Sequence, residues 1–331
     1  MPAPETAGMV PAAEGWSDPR TPNLFLVGAP RAGTTGLHDR LAQHPEITMS
    51  GLKEPHFFST DLTQRMARWT GRLDAELERP REDYLALWSG GEGALRRGES
   101  SVYYLYSDDA PKAVRAASQD ARIVILVREP VALLRSLHRK LLVAGDEDQR
   151  SFETALELED ERRAGRRLPS RVRFPEMVFY RDYVRYAHHV RRWQAVFGES
   201  RVRVLALEDW NARTDEVWAE LQDFLGVARA PLPPPVDENA GVEPRSLFLA
   251  GWLAGRLMAV NRRRAGGESG PLFGLGDRAY RAFGRWNERP VRQRALSAAL
   301  IGRWKAGFTG EVRELEELLG RDLAALWSYP R

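Results

Sequence analysis

The sequence predicts an α/β fold. A parallel sheet flanked by helices forms a three-layer sandwich, followed by a mostly helical C-terminal part. Three observations carry this. Short apolar runs recur at Leu24–Val27, 122–127 and 201–206. The first two are nearly continuous in apolar residues, as strands covered on both faces are. Each run is followed by residues at helical spacing, and strands alternating with helices build a parallel sheet.

The elements follow in order. Leu24-Phe25-Leu26-Val27 lies between Pro22 and Gly28 and reads as a buried strand. After the turn Gly28–Gly33, residues 34–44 read as a helix with Leu37 and Leu41 on one face, ended by His44-Pro45. Residues 47–49 form a short strand. Residues 60–93 are polar and read as loops and helix around Tyr84, Leu85, Leu87 and Trp88. Residues 122–127 are the strongest strand signal. A helix opens at Pro130, which suits the first helical turn, and carries Val131, Leu134, Leu137, Leu141 and Leu142 at helical spacing. The charge-rich stretch 146–172 reads as an exposed helix and loop. Residues 177–197 are expected to form one long helix ended by Gly198. A strand at 201–206 and a helix at 214–225, ended by Gly226, complete the core, and the proline run 231–235 is a stiff connector.

Residues 1–22 read as a flexible leader rich in Pro, Ala, Gly and Glu. Residues 23–331 then form a single domain, with a nucleotide-binding core at 23–230 and a helical acceptor or lid region at 231–331. Among 331 residues there is no cysteine, which excludes a thiol nucleophile, an iron–sulfur cluster and a disulfide framework, and fits a cytoplasmic protein. Lys plus Arg number 49 against 46 Asp plus Glu, a net charge of +3 with no long basic run. Wholesale nucleic-acid binding is not expected. No apolar stretch reaches the ~18 residues that a membrane-spanning helix needs.

Gly28-Ala-Pro-Arg31-Ala32-Gly33-Thr34-Thr35 follows a strand and opens a helix. The spacing is that of a phosphate-binding P-loop, but Thr34 stands where an ATPase has its lysine. A cation lies three residues earlier, at Arg31. Backbone N–H groups of Ala32, Gly33, Thr34 and Thr35 at a helix N-terminus still suit an anion. Arg128 follows the central strand, where a magnesium-binding carboxylate would otherwise stand, and Ser136 lies two turns into the next helix. Together Arg128 and Ser136 suit a second phosphate. Two anion sites and no metal signature point to a ligand with two separate phosphate groups.

This pattern resembles the sulfotransferases that use 3′-phosphoadenosine 5′-phosphosulfate (PAPS), of a bacterial type resembling the heparan sulfate N- and 3-O-sulfotransferase domains. Arg31-Ala32-Gly33-Thr34-Thr35 matches their 5′-phosphosulfate loop, and Arg128-Glu129-Pro130 with Ser136 matches their 3′-phosphate site. The resemblance extends to Lys53–Phe58, to Gly98–Ser101 and Tyr103–Leu105, to residues 180–227 and to the tail at 312–327. It implies sulfuryl transfer from PAPS, with 3′-phosphoadenosine 5′-phosphate (PAP) as product and no metal, to a hydroxyl or amine of a carbohydrate, lipid-like or natural-product acceptor. It also implies that Arg31 stabilises the leaving oxygen and that Glu54 is the base, with His56 as the other candidate. The cytosolic arylsulfotransferases take their base from the segment matching Glu99–Ser101, where this chain has no histidine.

Lys53 is a candidate sulfonate contact, Ser101 a donor or acceptor contact, and Arg245 the basic residue that closes the 3′-phosphate site. The heparan-type pattern has a lysine where this chain has Ser100, so Arg31 stands as the one catalytic cation. His38, His44, His138, His188 and His189 read as structural. Residues 247–264 read as a buried helix, an acceptor lid or a membrane-surface contact through the arginines at 262–264. The alternatives to a sulfotransferase are a nucleotide kinase-like P-loop phosphotransferase and a non-catalytic nucleotide-binding protein.

Overall fold

The computed structural model describes residues 16–71, 79–234, 242–246, 249, 286–290 and 297–330. The expectations for 247–264 and for the proline run beyond residue 234 lie outside the described residues, Leu249 excepted. Five parallel strands form the central sheet: β1 (Leu24–Gly28), β2 (Ile47–Met49), β3 (Arg96–Ser100), β4 (Arg122–Val127) and β5 (Val202–Ala206). Their order is β2-β3-β1-β4-β5, and all four neighbouring pairs are parallel. The chain leaves β1 toward one edge and returns to its other side at β4. The gap between β1 and β4 is therefore the switch point where open α/β sheets bind ligands.

Helices flank the sheet: α1 (Thr34–Leu41), α2 (Thr60–Thr70), α3 (Arg81–Leu85), α4 (Ala110–Ala117), α5 (Pro130–Ala144), α6 (Phe152–Glu157), α7 (Glu159–Arg163), α8 (Tyr186–Phe197), α9 (Leu207–Ala212) and α10 (Thr214–Leu225). Two C-terminal helices follow, α11 (Ala298–Leu319) and α12 (Leu323–Trp327). A two-stranded antiparallel ribbon, β6 (Val242–Pro244) with β7 (Glu288–Pro290), lies beside α5. The apolar runs behave as expected: Leu24, Phe25, Leu26 and Val27 are wholly buried, and so are Ile123, Val124, Ile125 and Val127.

Three expectations are corrected. The helix at 177–197 is not continuous: two 3-10 turns, Pro175–Val178 and Tyr180–Val184, precede α8. They turn Tyr180 inward, where its Oη donates to Glu147 Oε2 at 2.7 Å. The charge-rich stretch 146–172 is not simply exposed. Glu147 and Arg162 form a bidentate pair at 2.7 Å with both side chains 0% accessible. The first helix stops at Leu41, and residues 42–44 turn back so that His44 Nε2 meets the Ala228 carbonyl at 3.0 Å. Packing also reaches back to Trp16, whose ring meets Phe57, Phe58 and Tyr84.

β1 ends in a register shift at Gly28, which throws the following loop out over the sheet. Gly28 has φ +154°, and a Cβ there would come within 2.7 Å of Leu105 Cβ and 2.9 Å of the Val102 carbonyl. Gly28→Ala is expected to lose roughly 2–4 kcal/mol, from a disfavoured φ and from overpacking against backbone. Urea unfolding of the two proteins measures this.

Candidate functional site

The site is built at the carboxyl ends of β1, β3 and β4. Gly33, at φ +92°, precedes the first residue of α1 and turns the loop into the helix. A Cβ on Gly33 would meet Leu207 Cδ1 at 2.8 Å, so glycine keeps the loop close to α9. Arg31 is also in the left-handed region, at φ +69°. Its Nε donates to Ser136 Oγ at 3.0 Å. Arg128 Nη1 donates to the Arg31 carbonyl at 3.2 Å, across 97 residues of sequence. The two sequence motifs therefore meet at one point, with Ser136 buried between them. Burial first, and then Arg128, push the Arg31 guanidinium's pKa down. Both effects favour an anion arriving beside it.

Arg128 is not neutralised by its neighbour Glu129. That carboxylate caps α5, accepting from the N–H groups of Val131 and Ala132, and also from Tyr329 Oη at 2.7 Å. The Arg128 carbonyl accepts from Tyr186 Oη at 2.9 Å. Glu208 accepts from the Glu129 N–H and from Trp327 Nε1. α8 and the tail after α11 thus hold the loop that presents Arg128.

On the β3 side of β1, Lys53 Nζ donates to Thr35 Oγ1. Glu54 follows, its N–H donating to the Ser100 carbonyl at 2.9 Å. Glu54 and His56 both have positive φ, +58° and +53°, a costly backbone state for non-glycine residues. His56 Nε2 lies 3.4 Å from Glu54 Oε2. The Glu54 side chain is 37% accessible and opens toward solvent. Burial pushes the Glu54 carboxyl up, but His56, Lys53 and Lys140 outweigh it and hold it below the ordinary carboxyl range. Glu54 is therefore ionised at neutral pH and able to accept a proton.

A buried network fixes this turn. Glu99 Oε2 accepts from Ser101 Oγ at 2.8 Å, and Ser101 Oγ accepts from the His56 N–H at 3.2 Å. Tyr84 and Tyr104 donate to Glu99 Oε1. Ser101 is 0% exposed with its hydroxyl engaged on both sides, so it supports the His56 turn rather than facing a ligand directly. His38 Nδ1 lies 2.8 Å from Ser100 Oγ. His138 and His189 meet the Gln149 and Asp182 carbonyls. Arg245 follows the β6–β7 ribbon and bonds through Nε to the Trp286 carbonyl at 3.0 Å. Among the described residues it makes no hydrogen bond to Arg128 or Ser136.

Sequence reasoning missed three contributors. Tyr186 and Tyr329 are separated from Arg128 by too many residues for any local pattern to show. Lys140 had a readable signal: it lies four residues after Ser136 in α5, hence one turn along the same face.

The α/β sheet, with a lysine-less glycine loop after β1 and an arginine at the end of β4, has the fold of the sulfotransferases. A model of the sulfotransferase family matches residues 22–92, which contain both the anion loop and Lys53–Phe58. A sulfotransferase from Alicyclobacillus acidocaldarius superposes with a TM-score of 0.63 at 25% identity, over 92% of this chain and 98% of that one. The mouse heparan sulfate glucosamine 3-O-sulfotransferase 6 is 27% identical over 122 residues, 37% of this chain and 31% of that protein. The human bifunctional heparan sulfate N-deacetylase/N-sulfotransferase 3 is 27% identical over 228 residues, 64% of this chain and 23% of that protein. The chain thus spans less than a third of the length of these two relatives. The sulfotransferase resemblance read from the motifs holds in the family segment and in the fold. Among the described residues no helix is long and apolar enough to cross a membrane.

Proposed function

We propose that the protein is a PAPS-dependent sulfotransferase acting on a hydroxyl or amine acceptor. The observation that supports this reading is the junction of Arg31, Ser136 and Arg128, which brings the loops after β1 and β4 together. PAPS supplies an activated sulfuryl group carried on a 5′-phosphate, with a second phosphate at its 3′ position. The N–H groups at the start of α1, with Thr34 and Thr35, hold the 5′ side, and Arg128 and Ser136 hold the 3′-phosphate. Arg31 stabilises the charge that develops on the leaving oxygen. Glu54, ionised and open to solvent, takes the acceptor's proton. His56 keeps the Glu54 carboxylate in place. Arg245 closes the 3′ side only by leaving Trp286.

Thermal shift with PAP and with ATP–magnesium tests this against the kinase-like alternative. Stabilisation by PAP, unchanged by EDTA, is the expected result. Stabilisation by ATP–magnesium alone rejects it, and stabilisation by neither points to a non-catalytic protein. Arg128→Ala is expected to weaken PAP by ~1.5–3 kcal/mol, the scale of a charge-assisted hydrogen bond. An unchanged dissociation constant in calorimetry moves the 3′-phosphate elsewhere.

A further inference from the structure

Transfer of a sulfuryl group moves negative charge from the attacking oxygen across the sulfonate to the bridging oxygen. Cations that meet the group in flight are therefore worth more than cations that hold the donor's phosphates. Three of the site's cations are already tied to the donor loops. Arg31 Nε bonds Ser136, Arg128 bonds the Arg31 carbonyl, and Lys53 bonds Thr35. Lys140 differs. Among the described residues its ammonium has no hydrogen bond or ion pair, and solvent reaches it.

Its place is fixed by helix geometry and by its neighbours. Ser136, on α5, touches Arg31, and Lys140 stands one turn further on the same face. Arg31 and Glu54 both act on its charge, as do Arg173 and Asp146. Arg173 is committed to Asp146 through a bidentate pair at 2.7–3.1 Å, so those two charges largely cancel. What remains is a lysine under the influence of both the donor-loop arginine and the carboxylate that takes the acceptor's proton. Partial desolvation first, then Arg31 and Arg173, push its pKa down, against Glu54 and Asp146, although solvent still reaches the side chain.

We infer that Lys140 is a second cation of the transfer step, its Nζ donating to the sulfonate oxygens as the group passes from donor to acceptor. The bond from sulfur to the acceptor forms, the bond from sulfur to the bridging oxygen breaks, and PAP leaves with that electron pair. Lys140 keeps its proton throughout. The position normally sought for such a cation in sequence, residue 100, is a buried serine bonded to His38 and is closed to ligand. This inference rests on the PAPS reading above.

The test compares PAP, which lacks the sulfonate, with PAPS, which carries it. Calorimetry on the full chain, without acceptor, uses wild type, Lys140→Met and Lys140→Arg. Lys140→Met is expected to weaken PAPS by about tenfold or more, leaving PAP within about twofold, and Lys140→Arg to recover most of the loss. Equal losses for PAP and PAPS overturn the inference, because Lys140 then holds phosphate or structure. No loss for either overturns it too. Wild type that fails to bind PAP instead rejects the PAPS reading itself, so the two failures are distinct.

Discussion

Glu54→Gln is expected to cut turnover by about 10²–10⁴, the usual worth of general-base catalysis. The amide keeps the shape of the carboxylate but cannot take the acceptor's proton. The effect belongs in turnover and not in donor binding, because Glu54 stands on the β3 side of β1, with Arg128 on the β4 side, and bonds the protein through its own N–H. PAP affinity is therefore expected to stay within a few fold. The measurement is turnover with an acceptor found by ³⁵S transfer from PAPS, alongside PAP calorimetry on the same protein. Turnover within threefold of wild type hands the role to His56. A large loss of PAP binding makes Glu54 an organiser of the loop, acting through Lys53 and Thr35.

Removing one partner of the buried Glu147–Arg162 pair carries the largest expected cost in stability. Both side chains are fully buried, and Glu147 also receives Tyr180. Arg162→Met strands a buried carboxylate and is expected to cost about 3–5 kcal/mol. The double variant Glu147→Gln with Arg162→Met removes both charges and is expected to recover part of that loss. Equal melting temperatures for wild type and the single variant refute this. The pair also sets an acid limit. Burial pushes the Glu147 carboxyl up, but Arg162 and Tyr180 overcome this and hold it below its ordinary 4.5. A carboxyl with a depressed folded pKa stabilises fully above its unfolded value. That contribution fades as pH drops below 4.5 toward the folded pKa. In Glu147→Gln this part of the acid dependence is expected to disappear.

The sheet's centre was legible because β1 and β4 are apolar on both faces and need no tertiary context to declare themselves. The loops after β1 and β4 were legible as strand-end loops because their signal is local: a glycine turn, an arginine and a helix start. β3 was not, since Arg96-Arg97-Gly98-Glu99 looks like a polar loop. Its arginines are satisfied by distant partners that no window contains, the Leu225 and Thr21 carbonyls, while Glu99 is buried under the Tyr84 and Tyr104 hydroxyls. The break between residues 177 and 186 escaped for a related reason. Tyr180, Val184 and Ala187 are all buried as a helix would bury them, so the spacing alone could not distinguish two tight turns from one helix. In the site, Glu54 and Lys53 could be named from their segment. Ser101's commitment to Glu99 and His56 was invisible until the two segments that hold them were seen together.

The hydrogen bond from Tyr329 to Glu129 spans 200 residues, and Trp327 reaches Glu208 across 119. During synthesis the anion loop and Arg128 leave the ribosome long before either of those aromatic residues exists. The two loops after β1 and β4 are then present in a nascent chain whose Arg128 loop still lacks its clamp. On the proposed reading, competence to bind PAP therefore waits on Trp327 and Tyr329. On that reading PAP affinity reports completed folding: fragments ending near residue 320 are expected to carry both loops and bind PAP poorly.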